Sequence, residues 1–232
     1  MRKLRIVGIC LLCIFMLSLT ACAPPEGYSR EHYTYEDAVA YAKAIDPNAV
    51  VSENYTESPK VIFNFSNKEW DAVINGVQCH VGSVVTYYGE YAWACFTLAT
   101  DYDYCLAEEI LAEKQPQWQI TEGNVAYPFL YRYGQYYDIM IKTSHTEAMG
   151  ELSDEELEQL WKDVCEIAAA YEEYSYKCGL EFRVVSPYVS MDSEIEMSYC
   201  FIREFTEEAK QEFFARYRED WDLLESGLPV VD

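Results

Sequence analysis

The dipeptide Asn75-Gly76 constrains this chain more than any other local feature. Asn and Gly tolerate positive φ, which a type I′ turn needs at both central positions, and the twist of that turn matches the strands it joins. Apolar and polar residues alternate on both sides, so a two-residue hairpin is expected. Its register sets Ile74 opposite Val77, Ala72 opposite Cys79 and Trp70 opposite Val81, making one face of the ribbon wholly apolar. The other face sets Asp71 opposite His80. Neighbouring strand residues point to opposite faces, so Cys79 belongs to the core and cannot form a dyad with His80.

The remaining chain reads as helices alternating with strand groups. Thr34 with Asp37 forms a capping box for a helix over 35–45, carried by Ala38, Val39, Ala42 and Ile45 and stopped by Pro47. Asp101 and Asp103 suit the start of a helix from Tyr104 to Lys114. Ser153 with Glu156 opens what reads as the longest helix, with Leu157, Leu160, Trp161, Val164, Ala168 and Tyr171 as its buried stripe and Cys178-Gly179 as its close. Thr206 starts the last helix, through Phe213, Phe214, Tyr217 and Trp221. Strands are expected over 50–56, 60–65, 91–98, 118–121, 125–131, 136–142, 180–189 and 194–205, the last two around a turn at Met191-Asp192-Ser193. This order implies an α+β fold, antiparallel sheet or sheets with about four interleaved helices. Residues 34–232 are expected to form one domain; an internal boundary would fall in the polar stretch 144–150.

Ahead of that domain, Arg2, Lys3 and Arg5 precede an apolar stretch from Ile6 to Leu17, followed by small residues, the layout of a secretory signal. The stretch ends in Leu19-Thr20-Ala21-Cys22, which resembles the lipobox of bacterial lipoproteins. The resemblance implies a signal over 1–21, cleavage before Cys22, a diacylglyceryl group on its thiol, and anchoring on the extracytoplasmic face of the cell membrane. Residues 22–33, with Pro24, Pro25, Gly27 and Ser29, read as a tether. An uncleaved leader would export the domain as well, because positive charge stays on the cytoplasmic side. Two acyl chains on one cysteine suffice for stable attachment, where one chain binds only reversibly.

Without residues 1–21 the chain has 14 basic and 40 acidic side chains, a net charge of −26. Such a charge repels phosphate backbones and anionic headgroups, so nucleic-acid binding and an electrostatic hold on the membrane are both disfavoured. Six cysteines remain after the signal and Cys22 are set aside: Cys79, Cys95, Cys105, Cys165, Cys178 and Cys200. Export permits disulfides, but six cysteines allow 15 connectivities and the spacing selects none. They lack a Cys-x-x-Cys pair and the histidines lack a paired spacing, so a zinc framework is not expected.

Signatures of catalysis are also missing. The chain has no G-x-S-x-G, S-x-x-K, H-E-x-x-H, phosphate loop or dinucleotide fingerprint, and no cofactor is expected. Asp101-x-Asp103 begins like a calcium loop, but Leu106 stands where the sharp turn needs glycine. His32 falls in the tether, His80 pairs with Asp71, and His145 lies in a loop-like stretch. Twenty-one tyrosines, concentrated at Tyr127, Tyr131, Tyr133, Tyr136 and Tyr137 and again at Tyr171, Tyr174 and Tyr176, suit half-buried strands. Of these, Tyr131, Tyr133, Tyr136 and Tyr137 are the candidate ligand contacts, for a glycan, a peptide or an envelope protein. The expectation is a non-catalytic binding or scaffolding module, with a cell-envelope hydrolase of dispersed site, using His80 or His145 as base, as the alternative. A transporter's binding subunit fits less well, for want of two similar α/β lobes.

Overall fold

Asn75 and Gly76 adopt φ of 49° and 84°, the positive pair that the I′ turn requires. They join β2 (Lys68–Ile74) to β3 (Val77–Tyr88) in a computed structural model that describes residues 26–58, 66–88, 93–121, 138–145, 150–189 and 195–226. The ribbon has the register its alternation implies, with Ile74 against Val77, Ala72 against Cys79, Trp70 against Val81 and Asp71 against His80. With β1 (Val50–Glu57) and β4 (Trp93–Thr100) it forms an antiparallel sheet of order β1-β2-β3-β4. Ile74, Trp70, Cys79 and Val81 are all buried.

The turn is also fixed from outside. α1 (Tyr35–Ile45) has the reciprocal Thr34–Asp37 capping box and ends at Asp46. The Asp46 carboxylate accepts the Asn75 N–H at 2.9 Å and the Asn48 N–H at 2.8 Å, which holds its pKa below the usual carboxylate value. Asn75 Nδ2 donates to the Tyr102 hydroxyl at 3.0 Å, on α2 (Tyr102–Lys114).

A second sheet, order β5-β6-β7-β8, contains β5 (Gln119–Ile120), β6 (Ile139–Lys142), β7 (Leu180–Val189) and β8 (Ile195–Ile202). Its central pair β6–β7 is parallel, while its outer pairs are antiparallel. The reason is topological: α3 (Asp154–Glu172) lies between β6 and β7 in the chain, and a crossover of that length returns the chain in the same direction. The fold is α+β, with four helices and two antiparallel-dominated sheets among the described residues.

Other differences are local. The helix expected from Tyr104 begins at Tyr102, and the strand expected over 91–98 is described as Trp93–Thr100. α3 has the Ser153–Glu156 capping box and its expected stripe, joined by Ile167, but it stops at Glu172 rather than at Cys178-Gly179. Beyond it, Tyr176, Lys177 and Cys178 direct their backbone N–H groups at the buried Asp103 carboxylate, at 2.7, 2.8 and 3.0 Å, so the segment turns there instead of coiling on. α4 (Glu207–Ser226), opened by the Thr206 hydroxyl accepting the Ala209 N–H at 3.1 Å, exceeds α3 by one residue, 20 against 19. The strands expected over 60–65 and 125–131 and the turn at 191–193 lie outside the described residues.

One buried cluster takes residues from both sheets and all four helices, among them Trp70 and Val81, Ile141 and Phe182, Ala38, Leu106, Trp161 and Tyr217. Residues 29–33 lie on the first sheet as well. Ser29 and Phe96 exchange backbone hydrogen bonds at 2.8 and 2.7 Å, and the Tyr33 N–H donates to Ser83 Oγ at 3.0 Å.

Candidate functional site

His80 and the acids around it are the first arrangement with chemical potential. β3 outlasts β4 at this end, since β4 ends at Thr100 opposite Val81, and the chain turns at Asp101 into α2 beside the exposed flank of His80. Asp101 occupies the N-cap position without a side-chain cap bond. Its carboxylate instead accepts the His80 backbone N–H at 2.6 Å and meets the ring Nδ1 at 2.9 Å. Asp101 is 1% exposed and the His80 side chain 36% exposed, so a buried carboxylate orients an imidazole that solvent reaches. Nε2 faces Asp71 Oδ1 at 3.5 Å, the cross-strand pair expected from the hairpin register. A cleft of about 620 Å³ opens here, lined by Ser52, Asp71, Gln78, His80, Glu108 and Glu109 together with apolar neighbours.

Asp101 is the residue that sequence reasoning placed without seeing its role. Strand parity gave His80 its partner at Asp71, whereas Asp101 reaches it through the turn between β4 and α2. Both members of Asp101-x-Asp103 are committed to protein partners, one to His80 and one to three backbone amides.

The other histidines are held in protein. His145 is 3% exposed, with Nε2 at 3.2 Å from the Tyr217 hydroxyl, which also accepts the Leu152 N–H at 3.0 Å. Burial lowers the His145 pKa, against a smaller opposing pull from Glu156, and Nδ1 has no hydrogen-bond partner among the described residues. His145 is therefore a core imidazole and not a surface base. His32 packs its ring 3.9 Å from that of Phe96, centroid to centroid, with Nδ1 3.2 Å from Ser83 Oγ; burial and nearby Lys68 lower its pKa.

No disulfide joins any two of the six described cysteines, and four of them are buried. Burial pushes Cys79, Cys178 and Cys200 up to about 12, far from the thiolate form that nucleophilic or redox chemistry needs.

A second arrangement covers the outer face of the second sheet. Lys142 on β6, Arg183 on β7 and Phe201 on β8 stand in one cross-strand row; Glu181 lies two residues before Arg183 and Arg203 two after Phe201. The buried Glu181 accepts Arg183 Nε at 3.0 Å and Arg203 Nε at 2.6 Å, while Arg183 Nη2 contacts the Met140 sulfur. Lys142 Nζ lies 5.7 Å from the Tyr199 ring centre, and the Arg183 and Arg203 guanidiniums lie 5.4 and 5.6 Å from that of Phe201. Period-two alternation in Met140-Ile141-Lys142, Glu181-Phe182-Arg183 and Phe201-Ile202-Arg203 was the available signal for this face. It needed the strand pairing to become a cluster.

Of the remaining site expectations, Cys22 and Tyr131, Tyr133, Tyr136 and Tyr137 lie outside the described residues. Tyr171 is a core residue whose hydroxyl donates to the Cys178 carbonyl at 3.0 Å, whereas Tyr174 and Tyr176 are exposed. No helix among the described residues is long and apolar enough to cross a membrane. Compared with protein-family models, with curated proteins and with solved structures, the chain matches none.

Proposed function

We propose that this chain is an extracytoplasmic lipoprotein, anchored in the membrane by a diacylglyceryl group on Cys22, whose domain is a non-catalytic binding or scaffolding module of the cell envelope. Its ligand is a glycan, a peptide or another envelope protein. The leader and the Leu19-Thr20-Ala21-Cys22 sequence support the anchor. The observation that gives the anchor a structural consequence is the attachment of residues 27–33 to the first sheet. Besides the Ser29–Phe96 exchange, Thr97 Oγ1 and the Tyr33 hydroxyl both donate to the Gly27 carbonyl, at 3.2 and 3.1 Å. An extended chain spans at most about 3.6 Å per residue, so the link from Cys22 to Ser29 reaches roughly 25 Å. The domain is held beside the bilayer.

Cys22→Ala is expected to abolish the diacylglyceryl group and the cut before residue 22, so that the protein keeps its full leader mass and stays with the membrane only through that apolar stretch. Intact-mass measurement beside fractionation checks both. Unchanged processing overturns the lipid anchor.

The hydrolase reading is favoured by one observation, the His80 ring oriented by buried Asp101 at the mouth of a cleft. General-base catalysis contributes on the order of 100-fold or more. If His80 supplies it, the detergent-solubilised lipoprotein hydrolyses p-nitrophenyl acetate at least about 100-fold faster than its His80→Ala variant. Equal rates for the two proteins remove the reading.

A further inference from the structure

We propose that the outer face of the second sheet is a membrane-docking surface, through which the tethered domain lies on the anionic leaflet that holds its anchor. The proposal rests on the lipoprotein reading, since it needs the bilayer within reach.

Three of the 14 basic residues left after the leader gather on this one face, Lys142, Arg183 and Arg203, around the single buried carboxylate of Glu181. The cluster is net positive in a chain that is otherwise strongly acidic. Its cations overlie Tyr199 and Phe201; Phe201 is 44% exposed and the Arg203 side chain 65% exposed. Aromatic rings with basic groups on long alkyl stems are the combination that settles at a membrane–water interface, rings at headgroup depth and cations on lipid phosphates. Arginine forks suit phosphate oxygens in particular.

The overall charge does not forbid this contact. Screening limits electrostatic interactions to about 8 Å at physiological ionic strength, so carboxylates on distant faces act weakly on headgroups that touch the patch. A link of roughly 25 Å also keeps the surface present at high effective concentration, and a contact too weak to recruit a free protein can orient a tethered one.

The test uses the full-length lipoprotein reconstituted in vesicles, with Gln119→Cys carrying an environment-sensitive fluorophore. Gln119 is exposed and pairs with Lys142, so the label sits beside the cluster without replacing any of it. Parental protein taken through the same labelling corrects for reaction at the native thiols. On phosphatidylcholine mixed with phosphatidylglycerol the label is expected to shift to the blue and to resist aqueous iodide, relative to phosphatidylcholine alone. Lys142→Glu with Phe201→Ser is expected to cut the docked population by roughly five-fold or more for the charge alone. Neither residue bonds buried Glu181, and raising the salt concentration gives the same release without any substitution. Equal quenching on the two vesicle types, or quenching indifferent to both salt and substitution, overturns the proposal. Protection by soluble polyphosphate but not by phosphatidylglycerol vesicles overturns it too, and assigns the face to a soluble polyanion. Failure of the lipoprotein to enter either vesicle type defeats the anchor reading instead.

Discussion

Asp103→Ala is expected to lower the unfolding free energy by about 3–5 kcal/mol, because three backbone donors lose one buried charged acceptor together. Asp103 is 5% exposed and receives the N–H groups of Tyr176, Lys177 and Cys178, which lie more than 70 residues further along the chain. These bonds turn the chain between α3 and β7 and fasten that turn to the first turn of α2. Alanine offers the amides nothing, and the site is too enclosed for bulk water to replace the carboxylate at no cost. Asp103→Asn keeps one acceptor oxygen and places an N–H donor against the Tyr176 amide, so about half the loss is expected. The shift should appear in the urea midpoint with little change in slope. A change in Asp103→Ala below about 1 kcal/mol would show that the turn is held by packing alone.

The second large effect belongs to Phe182→Ala, expected to cost about 3–5 kcal/mol. Phe182 is fully buried on β7, between Ile141 on one neighbouring strand and Ile202 on the other. Its ring meets Trp118 and Phe205 edge-on, with centroids 5.9 and 6.0 Å away. Truncation leaves a cavity between groups that strand pairing prevents from closing in. For a domain of this size the loss corresponds to a fall in melting temperature of roughly 10 °C, measurable by calorimetry. Phe201→Ala is the internal contrast. Phe201 sits opposite Arg183 on the outer face, so its removal should cost about 1 kcal/mol or less. Equal losses for the two phenylalanines would mean that the outer face is also core.

How much of this was legible in the sequence depended on the range of the interaction. Asn75-Gly76 specified both the turn and the register, because positive φ and period-two alternation are properties of neighbouring residues. The Thr34–Asp37 and Ser153–Glu156 boxes were legible for the same reason, each spanning a single helical turn. The end of α3 was not. Glycine near a helix end suggests a stop, yet the stop came from a carboxylate on another helix. Likewise, the sequence paired His80 with Asp71 across a hairpin, and only the fold brought Asp101 to the other ring nitrogen.

Cysteine and histidine show the same division. Parity placed Cys79 in the core, but that no two of the six described cysteines are bonded to each other, and that His145 is buried against Tyr217, required the packed chain. The cationic face is a further case. Composition alone argued against any electrostatic hold on a membrane, because net charge says nothing of where the few basic residues stand. Strand order placed Lys142, Arg183 and Arg203 on one side of the second sheet.

By itself the sequence determined the hairpin and its register, the two capped helix starts and the α+β class, all of which follow from dihedral preference and local periodicity. It also carries the basic and apolar N-terminal stretch and Cys22, on which the proposal of export and a lipid anchor rests. Only the tertiary structure decided the parallel β6–β7 pair, the committed roles of Asp101 and Asp103, and the gathering of positive charge on one sheet face. Each of these joins residues far apart in the chain, and such contacts exist only once the core has closed around them.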